Sequence, residues 1–209
     1  MEKYRTVGKF CEAEFVEKRS RFLSAVMPVT CEKEALDFLA QRRSQFWDAT
    51  HNVYAYSLRE GNVRRYSDDA EPQGTAGLPT LDVLQKSEVT DVCVVTTRYF
   101  GGVLLGTGGL VRAYSHAAKL ALETAGILTM APVTRCRISC EYVWYGKLDA
   151  LLASFDAIQR ENDFADRVTL SFALRTERVG ALQTAVTDAT GGRVQMEIGD
   201  EFVAPLEKE

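Results

Sequence analysis

Val92-Cys-Val-Val-Thr-Thr-Arg-Tyr-Phe-Gly-Gly-Val-Leu-Leu-Gly-Thr-Gly-Gly-Leu-Val-Arg-Ala-Tyr114 is the stretch around which the rest of the chain is organised. Val92–Thr97 follows Asp91 and is β-branched except at Cys93, which predicts a strand. From Leu110 to Ala125 the pattern is helical, and Gly126 closes it. Between the two lie five glycines in nine positions: Gly101, Gly102, Gly106, Gly108 and Gly109. Glycine is costly to order, so a cluster this dense marks backbone that takes φ > 0 or lets another group come close.

A helix that starts at such a loop turns unpaired N–H groups and the positive end of its dipole toward whatever sits there, which favours an anion. Arg98 and Arg112 flank the loop. Arg112 is expected in the first helical turn, where a cation opposes the dipole and calls for a negative partner. Two readings stay open: an anion site, or close packing of a helix on a sheet with the arginines in structural salt bridges. The string matches no nucleotide fingerprint, being neither the dinucleotide-binding glycine pattern nor a loop followed by Gly-Lys-Ser/Thr.

Composition narrows the class. The 209 residues suffice for one large or two small domains, and 46% hydrophobic content is ordinary for a globular chain. No apolar run approaches the roughly 20 residues that span a bilayer, and Met1-Glu-Lys-Tyr-Arg5 leads into no apolar signal segment. Cytoplasmic residence without a membrane partner is therefore expected. The cysteines, Cys11, Cys31, Cys93, Cys136 and Cys140, include no Cys-x-x-Cys pair and lie far in sequence from His51 and His116. Reduced, mostly buried thiols are expected rather than a zinc site, and no resident metal or cofactor is implied. Up to Thr134 the chain carries 16 Lys+Arg against 16 Asp+Glu, and beyond it 9 against 13. The net charge of −4 thus belongs to the C-terminal part, which excludes a broadly basic nucleic-acid binder but leaves room for a local patch.

Along the chain, strands are expected at Phe10–Val16 and Phe22–Pro28, joined through Glu17-Lys-Arg-Ser-Arg21. Lys18, Arg19 and Arg21 make a short basic run, either a solvated turn or a phosphate contact. Thr30 reads as an N-cap, and Ala35, Leu36, Leu39 and Ala40 as the buried stripe of a helix reaching Phe46. A hairpin follows, with Val53–Leu58 and Val63–Tyr66 flanking Arg59-Glu-Gly-Asn62. His51 stands at its entrance, as an acid or base or as a hydrogen-bonded structural residue.

Ser67-Asp-Asp-Ala-Glu-Pro-Gln-Gly-Thr-Ala-Gly-Leu-Pro79 is a second loop-to-helix junction, with Thr75 inside it and Leu78, Leu81 and Leu84 on the helix beyond. If the two junctions meet, Asp68, Asp69 and Glu71 either pair with Arg98 and Arg112 as a desolvated network or hold Mg²⁺ beside a phosphate. Gly126 to Pro132 reads as a boundary, with Pro132 a break. Beyond it, Arg135–Tyr142, Ile158–Phe164, Val168–Leu174 and Val194–Ile198 read as strands, and Tyr145–Phe155 and Arg178–Thr190 as helices. That order is the ferredoxin-like βαββαβ unit. The expected domains are residues 1–130 and 135–204.

Lys18-Arg-Ser-Arg-Phe22, Ala49-Thr-His-Asn52, Asp68-Asp-Ala-Glu-Pro-Gln-Gly-Thr-Ala-Gly77 and the string Arg98 to Tyr114 resemble the IMPACT proteins and their bacterial YigZ-type relatives. One departure is Ala70, where the family usually has glycine. The resemblance implies an α+β chain. Its N-terminal α/β domain would be of the type shared by a small-subunit ribosomal protein, domain IV of elongation factor G and the GHMP kinases, with a left-handed βαβ crossover. Its ferredoxin-like C-terminal domain would resemble domain V of that factor. The eukaryotic members regulate translation initiation, and no catalytic residue carries over.

The leading expectation is a non-catalytic, translation-associated regulator that binds RNA, a ribosome-associated protein or both. Arg98, Tyr99, Phe100, Arg112, the loop glycines and the Lys18–Arg21 run would form the contact, with Tyr99 or Phe100 stacking on a base. The alternatives are an enzyme that binds a phosphorylated or nucleotide substrate with Mg²⁺ at the two loops, through Asp68 or Asp69, and a pure protein–protein module.

Overall fold

The computed structural model describes Glu2 to Leu206, and the chain divides into two compact units. Tyr4–Thr129 is one; the chain from Met130 onward, with the residues before Tyr4, is the other.

The first unit is built on an antiparallel sheet. Its strands are β2 (Cys11–Glu17), β3 (Ser20–Pro28), β4 (His51–Ser57), β5 (Arg64–Ser67) and β6 (Val92–Tyr99), in the order β2-β3-β6-β4-β5. Since β3 and β4 both run antiparallel to β6, they are parallel to each other and flank it, joined through helix α1 (Glu32–Gln45). The apolar run Val92–Val95 of β6 follows from cover on both faces. Cys93 and Val95 pack with Ala35, Phe38 and Leu39 of α1. Val92 and Val94 pack with Leu81 and Leu84 of α2 (Gly77–Lys86) and with Ala118, Ala121 and Leu122 of α3 (Thr107–Ala125). A short strand, β1 (Tyr4–Val7), escaped the sequence reading and adds Val7 to the second of these clusters.

Several local expectations are corrected. Thr30 is not the N-cap of α1: Cys31 holds that position, while the Thr30 N–H and hydroxyl both donate to Glu34 Oε2, at 2.6 and 3.0 Å. The buried face of α1 is Ala35, Phe38, Leu39 and Arg42, the i, i+3, i+4, i+7 set, which turns Leu36 and Ala40 to solvent. Leu78 is likewise exposed. Helix α3 begins at Thr107, so Arg112 lies in its second turn. Pro132 breaks nothing, for β7 runs from Ile127 to Cys140 straight through it. On one side the pairing of this strand begins only at Val133, opposite Arg175, and on the other Pro132 is in register with Val203.

The second unit contains β7, α4 (Tyr142–Ser154), β8 (Ile158–Phe164), β9 (Val168–Arg175), α5 (Val179–Thr190) and β10 (Met196–Pro205). Its strands lie in the order β10-β7-β9-β8, every neighbour antiparallel. This is the ferredoxin-like βαββαβ fold. Leu148, Leu152, Leu170, Leu174 and Leu182 are among its fully buried side chains, each contributing about 1.5–3 kcal/mol by leaving water. All five cysteines are free thiols: Cys93, Cys136 and Cys140 are buried, and burial pushes the Cys93 thiol up to about 12. Among the described residues no helix is long and apolar enough to cross a membrane.

Candidate functional site

Strand β6 ends where the turn between β2 and β3 passes beside it. Lys18 and Arg19 form that two-residue turn with φ of 47° and 67°, the left-handed pair that matches the twist of a hairpin. Gly101 lies directly against it: a Cβ there would stand 2.0 Å from the Arg19 carbonyl carbon. Gly102 and Gly106 serve differently, at φ of 79° and 73° with open space around them. Gly106 precedes α3 with no side-chain cap, and Gly108 and Gly109 lie inside its first turn.

The acidic loop divides its three carboxylates among three tasks. Asp68 accepts the backbone N–H of Ala76 and Gly77 on Oδ1, at 3.0 and 2.8 Å, and that of Gly74 on Oδ2 at 2.9 Å, fixing the start of α2. Asp69 accepts the Asn52 N–H and Arg43 Nη2, each at 2.6 Å. Glu71 is buried, and its Oε1 accepts Arg98 Nη1 at 2.6 Å and the Tyr114 hydroxyl at 2.7 Å. The expected pairing of acids with arginines is thus limited to Glu71 with Arg98, because backbone amides and Arg43 engage the other two first. Thr75 stays local, its hydroxyl on the Pro72 carbonyl at 2.6 Å. Among the described residues no three His, Cys, Asp or Glu stand together as metal ligands.

Arg98 is only 4% exposed, and its Nη2 donates to Ser20 Oγ at 3.2 Å while its Nε is buried without a partner among the described residues. Burial, and next the Glu71 charge, push the Tyr114 phenol well above its ordinary range, so the hydroxyl remains a donor. His51 closes the group. Its Nδ1 lies 2.8 Å from the Asp69 carbonyl, which can only accept, so Nδ1 carries the proton and Nε2 faces Glu71 Oε1 at 3.7 Å.

Above this network opens a cleft of about 450 Å³. The acidic loop lines it with Glu71 and Pro72, the glycine loop with Phe100, Leu104, Leu105 and Gly106. The remaining sequence candidates sit at its edge or away from it. Arg112 is exposed, its Nη1 3.6 Å from where a Cβ on Gly108 would be, and it forms no ion pair among the described residues. Lys18 and Arg19 are exposed at the turn. Arg21 pairs with Glu14 across the hairpin, and the Tyr99 hydroxyl donates to Asp48 at 2.8 Å, whereas Phe100 is half exposed with the Arg98 guanidinium carbon 5.6 Å from its ring centroid. Ser20 and Tyr114 were not singled out in the sequence. Tyr114 follows Leu110 by four residues on the buried face of α3, and a buried phenol needs a polar partner.

Asp69 and Ala70 are consecutive left-handed residues, at φ of 45° and 67°. An alanine in that region carries about 1–2 kcal/mol of strain, partly offset by the greater ordering cost of glycine. Ala70→Gly is expected to stabilise the N-terminal unit by about 0.5–1 kcal/mol, read as a higher urea midpoint at unchanged slope.

Comparison with known proteins agrees with this architecture. The Impact N-terminal domain matches residues 18–122, and a domain of unknown function, DUF1949, matches residues 138–193. IMPACT family member YvyE of Bacillus subtilis (strain 168) is 34% identical over 198 residues, 94% of this chain and 91% of that protein. IMPACT family member YigZ of Escherichia coli (strain K12) is 33% identical over 182 residues, 86% and 89% of the two chains. A solved structure described as the crystal structure of a hypothetical protein superposes with a TM-score of 0.60 at 31% identity, covering 94% of this chain and 97% of that one. The chain belongs to the IMPACT family, as a bacterial YigZ-type member.

Proposed function

We propose that this protein is a non-catalytic component of translation control that contacts RNA through the face formed by the glycine loop and the β2–β3 turn. The observation that carries the reading is the distribution of its arginines. Arg98 is buried and matched by Glu71, whereas Arg112 and Arg19 are exposed, lack carboxylate partners among the described residues, and lie on or against the glycine loop. Exposed cations beside an uncapped helix N-terminus favour phosphate oxygens, and Phe100, 45% exposed, offers a ring face to a base. The link to translation rests on the resemblance to the eukaryotic regulators and on domain types shared with elongation factor G. Engagement of Asp68, Asp69 and Glu71 within the protein supports binding rather than turnover.

Filter binding of the full chain to tRNA, ribosomal RNA fragments and single strands tests this. Saturable binding is expected, with log affinity falling linearly with log salt. Arg112→Ala should weaken every RNA about three- to tenfold and reduce the salt slope by about 1, as loss of one phosphate contact requires. Absence of salt-sensitive binding below about 10 µM sinks the proposal.

A further inference from the structure

We infer that the cleft over Glu71 is a nucleobase pocket that takes one unpaired, amino-bearing base, rather than uracil, of a bound RNA. The inference deepens the RNA reading above and rests on it. The walls are apolar, Leu105 and Leu110 buried behind, Phe100 half exposed and Leu104 81% exposed at the mouth. At about 450 Å³ the cleft falls within the roughly 300–1,000 Å³ of small-molecule sites, ample for a flat ring against Phe100.

The floor selects hydrogen-bond donors. Glu71 Oε1 is occupied by Arg98 and Tyr114, but Oε2 has no partner among the described residues. His51 donates from Nδ1 to the Asp69 carbonyl, so in the neutral ring Nε2 is an acceptor as well. His51 Nε2 lies 3.7 Å from Glu71 Oε1, so the Glu71 carboxylate and the imidazole border the same part of the cleft. An exocyclic amino group, as adenine, cytosine and guanine present, offers N–H donors to these acceptors; uracil has none and flanks its single N–H with carbonyls that oppose Glu71. Gly106 and Thr107, at the start of α3, border the cleft, so the phosphate of a base seated there falls near the helix N-terminus.

Fluorescence anisotropy of the full chain with short oligo-A, oligo-C, oligo-U and abasic RNA at one salt concentration tests the pocket. Oligo-A and oligo-C are expected to bind at least about tenfold tighter than oligo-U or the abasic strand, since each good base contact discriminates by about 1–3 kcal/mol. Replacing adenine by purine, which lacks only the amino group, should cause the same loss without touching the protein. Phe100→Ala, an exposed position, should remove most of the preference. Equal binding of all four strands overturns the pocket while leaving phosphate contact intact. Failure of every strand to bind overturns both the pocket and the RNA reading.

Discussion

Glu71→Ala will destabilise the N-terminal unit by about 3–5 kcal/mol, the range found when one partner of a buried ion pair is removed. Arg98 has 4% of its surface exposed, and without Glu71 its remaining partner in the described network is the Ser20 hydroxyl. The Tyr114 hydroxyl, held protonated, loses its acceptor at the same time. A charge would then stay desolvated with only a hydroxyl to accept from it, and a phenol without its acceptor. Urea unfolding followed on Trp47, with Trp144→Phe to silence the other unit's indole, measures the loss. Glu71→Leu with Arg98→Met should recover much of it, because the double change removes both charges and Phe22 lies beside them to pack against. A loss below about 1 kcal/mol for Glu71→Ala would mean that water reaches the pair.

The same network marks where sequence patterns stop being informative. Arg135, Arg137 and Ser139 alternate with Cys136, Ile138 and Cys140, and that period of two alone places β7 with one face in the core. Val92–Thr97 was legible as a strand because a run β-branched at every position but Cys93 suits cover on both sides. The start of α3 was not, since Thr107, Gly108 and Gly109 have poor helix propensity. There the decisive contacts are tertiary, among them Leu110 packed with Phe22 and Val53. Which acid meets Arg98 was equally hidden. Asp68, Asp69 and Glu71 are chemically alike in sequence, and the choice depends on backbone amides at Gly74, Ala76 and Gly77 that appear only once the loop has closed. Exposed arginines and structural ones look identical in sequence until burial separates Arg98 from Arg112.

Gly101→Ala will cost about 3 kcal/mol, more than its neighbour Gly102→Ala, although both belong to one glycine cluster. At Gly102 the obstacle is conformational, φ of 79° with no atom within 4 Å, and an alanine there carries about 1–2 kcal/mol of left-handed strain. At Gly101 the obstacle is another backbone: an added Cβ meets the Arg19 carbonyl carbon at 2.0 Å and oxygen at 2.1 Å. Arg19 cannot swing aside, because it is half of a two-residue turn whose ends, Glu17 and Ser20, are paired in the sheet. Moving the turn also draws Ser20 Oγ away from the Gly101 N–H and from Arg98 Nη2, exposing the buried pair to rearrangement. Thermal and urea unfolding of the two single variants separates the causes. Adding Arg19→Gly to Gly101→Ala removes a side chain but not the obstructing carbonyl, so the loss should persist. Recovery beyond what Arg19→Gly gains by itself at φ of 67° would instead place the clash on the arginine side chain and loosen the link between the turn and the Arg98–Glu71 pair.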